Sequence, residues 1–190
     1  MFLKKVPSLR KIIKIFGYIF DFRAQKNLTE IPLFLRLKLG KLASCKVVEP
    51  ESNWIFEPPE EFIDSLAKSR EIMHFSSFYQ PVFSGLHPSL LDRNKDVTFV
   101  ITKNISEKIF SLFPKKPGSS LSTENLDLYV YNGSSSIVSL TVTERFMALL
   151  LRDKKGKLDY RLLMSSESNA IEWGKELFIH YKDLSRKISG

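Results

Sequence analysis

The sequence predicts an α/β domain, a mixed β-sheet sandwiched by helices, preceded by a basic N-terminal helix. Three observations predict it. Apolar runs such as Val97–Ile101 (VTFVI), bounded by charge and polar residues, read as strands buried on both faces. Between the early runs, apolar residues recur at three- and four-residue spacing, as in helices that cross over a sheet. After about residue 125 the crossovers cease, and short strands follow one another across turn signals such as Asn132-Gly133.

With 190 residues, 43% of them hydrophobic, the chain can bury one good core, so one domain plus an appendage is expected. The single cysteine, Cys45, excludes an internal disulfide and a cysteine-rich zinc site. The start resembles a signal peptide only superficially, because Arg10, Lys11 and Lys14 interrupt its apolar stretch. No uncharged run reaches membrane-spanning length. A reducing, cytoplasmic setting is expected. The net charge of +8 is unevenly placed. Residues 1–46 hold 11 lysines and arginines against two acids, whereas the remainder holds 18 against 19. Only the N-terminal arm is basic, so the high pI does not make the body a nucleic-acid binder.

Element by element, residues 8–22 read as a helix whose apolar stripe runs through Leu9, Ile12, Ile13, Phe16 and Phe20. Its broad apolar surface requires a partner. A second helix is expected from Pro32 to Ala43, with proline in its first turn. Cys45–Val48 reads as a short strand. Glu49–Pro59 reads as a loop anchored by Trp54, Ile55 and Phe56. Glu60–Lys68 is helical, its acidic pair Glu60-Glu61 suiting the helix dipole. Arg70–Ser76 is a strand, and Val82–Leu91 a helix disturbed by Gly85 and Pro88. Asp96–Phe110 reads as strand, polar tip and helix, with Asn104 as N-cap and Glu107 in the capping-box position. Pro114–Ser122 is a connector. Strands follow at Leu126–Val130, Ile137–Val142, Phe146–Leu151 and Leu162–Met164, the last two separated by the turn Asp153–Gly156. A helix capped by Ser168 or Asn169 runs to about Lys187. In it, Gly174 lets a strand approach while Trp173 fills the adjoining space.

In open α/β sheets, ligands bind beyond the carboxyl ends of strands. The candidate ligand-binding residues are therefore Ser76 and Tyr79 after one strand, Thr102, Lys103 and Asn104 after another, and Thr143 and Arg145 after a third. If the first two strands are parallel, their clusters lie side by side, with Phe75, Phe78 and Phe83 as apolar walls. That composition suits a small ligand, with Lys103 or Arg145 as counter-charge to an anion. The three histidines, His74, His87 and His180, share no metal-ligand spacing. There is no glycine-rich phosphate loop and no nucleophile elbow. No cofactor is expected.

Four stretches bear a family resemblance: Leu28–Pro50 (LTEIPLFLRLKLGKLASCKVVEP), 97–109 (VTFVITKNISEKI), 142–160 (VTERFMALLLRDKKGKLDY) and 170–181 (AIEWGKELFIHY). In this order they resemble the effector domain of archaeal winged-helix transcription regulators of the methanogenesis regulatory protein type. The most specific element is Glu172-Trp173-Gly174 followed by Leu177-Phe178 and Tyr181. The resemblance implies that 28–190 is a ligand-sensing effector domain and that 1–27 corresponds to the linker helix. The 27 residues before it are too few for a winged helix, which puts direct DNA binding in doubt: either the chain is a stand-alone effector domain or its true start lies upstream. A homodimer, or a DNA-binding partner held through the N-terminal helix, is then expected, with a small-molecule effector and no membrane.

The same resemblance implies half of a phospholipase-D-like fold without its catalysis. That chemistry needs a nucleophilic histidine, a lysine two residues on and a following aspartate. Only His180-x-Lys182 fits the first two, with no aspartate five positions on. A non-enzymatic domain is therefore expected. The alternatives are a degenerate hydrolase of that class, or membrane or nucleic-acid binding through the basic arm alone.

Overall fold

The computed structural model describes residues 24–49, 58–79, 94–112 and 126–188. The expected helices at 8–22 and Val82–Leu91, the anchors Trp54, Ile55 and Phe56, the connector Pro114–Ser122, and Phe83 and His87 lie outside these residues.

Eight strands form one mixed sheet: β1 (Lys46–Val48), β2 (Glu71–Ser76), β3 (Asp96–Thr102), β4 (Leu126–Tyr131), β5 (Ile137–Thr143), β6 (Met147–Leu151), β7 (Leu162–Ser165) and β8 (Arg186–Lys187). Their spatial order is β1-β7-β6-β5-β2-β3-β4-β8. β2, β3 and β4 are parallel neighbours. The other pairings are antiparallel. Crossovers join the parallel strands and a short turn joins β5 to β6, but the connection at Asn132-Gly133, read as a hairpin turn, joins β4 to β5, which do not pair because β2 and β3 lie between them.

The helices are α1 (Leu33–Arg36), α2 (Glu60–Ala67), α3 (Lys103–Leu112) and α4 (Ser168–Asp183), with a 3-10 turn at Leu39–Leu42. The sheet is apolar on both faces because its central strands alternate between two cores. On one face, Phe75, Val100, Leu140, Val142, Met147 and Leu149 pack with Trp173, Leu177 and Phe178 of α4. On the other, Ile72, Val97, Phe99, Ala148 and Leu150 pack with Phe62 and Leu66 of α2. The Phe62 ring meets Phe146 edge-on at 5.7 Å.

Gly174 has the expected role. A Cβ there would stand 3.0 Å from Val142 Cγ2 and 3.3 Å from Met147 Cβ, so glycine lets α4 sit this close to β5 and β6 without displacing those side chains by a few tenths of an ångström. Trp173 is fully buried beside it, and its indole N–H donates to the Leu35 carbonyl at 3.0 Å. Gly156, in the β6–β7 connection, has φ +78, which accounts for glycine in that turn.

Three local expectations are corrected. Pro32–Ala43 is not one helix but the four-residue α1 followed by the 3-10 turn. Tighter winding after Leu37 places Leu39 and Leu42 with Leu35 in the core. The last helix ends at Asp183, not near Lys187. Ser185 Oγ donates to the Tyr181 carbonyl, and Arg186 and Lys187 then pair with Val130 and Tyr129. This short strand covers part of the outer edge of β4, whose peptide groups would otherwise lack partners there. Finally, α3 starts at Lys103, so Asn104 belongs to its first turn rather than capping it, and Glu107 reaches Lys103 at 3.8 Å.

The N-terminal arm is tied to the body by charge. Lys26 pairs with Asp159, Lys38 with Glu176, Lys41 with Glu172 and Lys46 with Glu61. The described lysines between residues 26 and 46 thus already have acidic partners. No helix among the described residues is long and apolar enough to cross a membrane.

Candidate functional site

The candidate residues divide between the two ends of the sheet. At the carboxyl ends of β2 and β3, Ser76 lies opposite Ile101, and β3 continues to Thr102 before α3 begins. Ser76 Oγ donates to the Phe78 carbonyl at 2.8 Å, closing a tight turn. Ser77 ties that turn to β5, its N–H donating to the Val138 carbonyl and its hydroxyl to the Ile137 carbonyl. The Tyr79 ring lies beneath Lys108 of α3, with Nζ 4.4 Å from its centroid. Thr102 is buried, while Lys103 and Asn104 are exposed. The parallel pairing thus brings Ser76, Tyr79, Thr102, Lys103 and Asn104 to one edge.

The aromatic walls are not shared. Phe75 belongs to the α4-side core, against Tyr131 and Tyr181, whereas Phe78 packs on the opposite core. β2 ends at Ser76, and Phe78, in the turn that Ser76 closes, lies on the other side of the sheet from Phe75.

Thr143 and Arg145 lie at the other end. β5 runs antiparallel to β2, and Thr143 pairs with Ile72 while Ser139 pairs with Ser76. Four residues of strand, roughly 13 Å, separate those positions. Thr143 is fully buried. Its Oγ1 accepts the N–H groups of Arg145 and Phe146, both at 3.0 Å, and thereby forms the β5–β6 turn. Glu144 in this turn accepts the N–H groups of Arg70 and Glu71, which fixes the start of β2.

Arg145 lines an open groove of about 680 Å³. α2 supplies Glu61 and Ser65 and is followed by Lys68; the β7–α4 turn supplies Ser165, Ser166 and Glu167; Phe146 and Met164 provide apolar surface. Sequence reasoning missed this groove. Its walls lie far apart in the chain and meet only because β7, β6, β5 and β2 are neighbours in the sheet.

The histidines do not assemble a catalytic centre among the described residues. His180 meets Phe34 edge-on at 6.3 Å, whereas Lys182 lies over Tyr129 at 5.3 Å. The two side chains of the His-x-Lys pattern therefore contact different parts of the protein. His74 is buried, with Nδ1 2.9 Å from Thr141 Oγ1 and its ring edge-on to Phe99. Burial pushes its pKa down to about 4, so the imidazole is neutral at pH 7. Burial also pushes the Cys45 thiol up to about 12, leaving it unreactive. No group of three or more His, Cys, Asp or Glu side chains among the described residues could hold a metal ion.

Residues 55–184 match the family model of the methanogenesis regulatory protein FilR1, middle domain. The chain belongs to this family. The FilR1 middle-domain match begins beyond the Leu28–Pro50 fragment and includes the whole sheet from β2 to β7. Among solved structures, the chain is similar to TrmBL2, described as an archaeal chromatin protein with a novel mode of DNA binding, at TM-score 0.58 and 15% identity. That likeness covers 95% of this chain but only 65% of TrmBL2. The chain is also similar to Nuc, a phospholipase D family member from Salmonella typhimurium, at TM-score 0.52 and 11% identity. It covers 77% of this chain and 99% of Nuc. At such identities the likenesses establish the fold, which is the phospholipase-D-like α/β arrangement expected from the sequence. No curated protein matches the chain.

Proposed function

We propose that the chain is the effector domain of a cytoplasmic transcription regulator, which senses a small molecule without chemically altering it. Membership of the FilR1 middle-domain family supports the regulatory role. The observation that carries the non-enzymatic reading is the divergence of His180 and Lys182, which leaves the one His-x-Lys pattern unable to act on a single phosphate. In this reading residues 28–190 form the sensor and 1–27 the linker helix. The broad apolar stripe of 8–22 holds a second copy or a DNA-binding partner. The DNA binding named for TrmBL2 supports a role on DNA, reached here through that partner.

The ligand edge is Ser76, Tyr79, Thr102, Lys103 and Asn104. Replacing Lys103 and Asn104 with alanine should change the ligand response, read as a metabolite-induced rise in melting temperature, while the fold persists. An unchanged response in this variant would reduce Lys103 and Asn104 to exposed residues of the first turn of α3. For the assembly, light scattering should show a dimer of the full chain that Ile12→Glu with Phe16→Glu dissociates. A monomer that binds no DNA-associated partner would contradict this part of the reading.

A further inference from the structure

We propose that the groove beneath α2 is a second ligand site, selective for a small organic anion: a phosphate monoester carrying hydroxyl groups. The inference goes beyond the strand-end edge, which lies at the other end of β2. It rests on the groove and on the state of the charges around it.

Six charged side chains line the groove, three of each sign, but most are already engaged. Lys46 and Glu61 neutralise one another. Glu144 accepts backbone N–H groups at the start of β2. Lys68, Arg145 and Glu167 remain, and their side chains have no ion-pair or hydrogen-bond partner among the described residues. The unengaged charge is therefore positive by one. A guanidinium and an ammonium bordering one groove can hold a carboxylate or phosphate by charge-assisted hydrogen bonds.

The remaining surface selects the rest of the molecule. Phe146 and Met164 are buried side chains that present an apolar floor. Ser65, Ser166 and the paired hydroxyls of Ser44 and Ser165, 3.4 Å apart, can exchange hydrogen bonds with hydroxyl groups. The start of α4 borders the same space; its N-cap residue is Glu167, whose side chain makes no capping bond. The helix dipole favours negative charge there, and Glu167 already supplies part of it, which Glu167→Gln tests. The groove volume falls within the roughly 300–1,000 Å³ of small-molecule pockets.

The test uses the full chain, with inorganic phosphate and glycerol 3-phosphate at constant ionic strength and chloride as the control salt. Thermal unfolding and calorimetric titration provide the readouts. Both phosphates should raise the melting temperature, glycerol 3-phosphate more than phosphate. Arg145→Gln and Lys68→Gln, at exposed positions where the fold should tolerate them, should each weaken binding about tenfold, the loss of one charge-assisted hydrogen bond. Glu167→Gln should strengthen it, and Lys155→Ala, in the exposed β6–β7 turn away from both sites, should leave it unchanged. No response to either phosphate at millimolar concentration overturns the proposal, as does a response undiminished in Arg145→Gln and Lys68→Gln. A response lost in Lys103→Ala but kept in those two variants also overturns it, while supporting the strand-end edge.

Discussion

Trp173→Ala is expected to destabilise the protein by about 3–5 kcal/mol, the range for truncating a fully buried large aromatic side chain. The indole lies in the α4-side core at 0% exposure and makes the hydrogen bond that holds the Leu35 carbonyl. α1 is only four residues long, too short to persist without packing. Removing the indole leaves a cavity and takes one of that carbonyl's two donors, the other being the Lys38 N–H, so the strap from Ile31 to Leu42 should loosen first. Urea denaturation gives the total loss, and hydrogen exchange at Leu35–Leu39 locates it. Trp173→Phe keeps most of the ring but removes the indole donor, leaving the Leu35 carbonyl with the Lys38 N–H alone, and should cost less, about 1–3 kcal/mol. Equal costs for the two variants would mean that the hydrogen bond, and not the packing, dominates.

Asp159→Ala should cost about 3 kcal/mol, near the lower end for breaking a buried ion pair. The Lys26 side chain is 1% exposed, and its ammonium has the Asp159 carboxylate and the Leu151 carbonyl as partners. Burial pushes the Lys26 pKa down, against the opposing effect of Asp159. Burial alone would raise that of Asp159, but hydrogen bonds from Lys26 and Arg161 outweigh it and hold the carboxyl below its ordinary value. A carboxyl depressed on folding stabilises the fold above its unfolded pKa, near 3.9, and loses that contribution as pH falls through the depressed value. The stability gap between the wild type and Asp159→Ala should therefore close in acid. It should also narrow in base. Without Asp159 the lysine pKa drops further, so the variant gains relative stability as pH rises towards the ordinary lysine value, near 10.4. Urea midpoints of both proteins from pH 3 to pH 10 test this. A gap that does not vary with pH would show that the pair contributes no charge-dependent stability.

Strands β1 to β7 were legible because each contains a short apolar run with a turn signal near its border. Gly174 beside Trp173 was legible for a related reason, a residue without a side chain next to the largest one on a helix face. What the sequence concealed is non-local. β8 consists of two exposed basic residues, and only the free edge of β4 explains why they extend. Lys26 reads as part of a basic arm until the fold brings Asp159, 133 residues away, onto it. Thr143 and Arg145 read as strand-end polar groups, but which end they occupy depends on β5 lying antiparallel to β2. The groove needs the same knowledge of strand order, and no local pattern in its walls announces it.

Centrally, we propose that this member of the FilR1 middle-domain family keeps a phospholipase-D-like fold without the chemistry. The most direct test is the hydrolysis of bis(p-nitrophenyl) phosphate by the purified full chain without added metal. The rate should equal that of buffer and should not change in His180→Ala. Metal-independent turnover well above buffer, abolished by replacing a single histidine, would contradict the account.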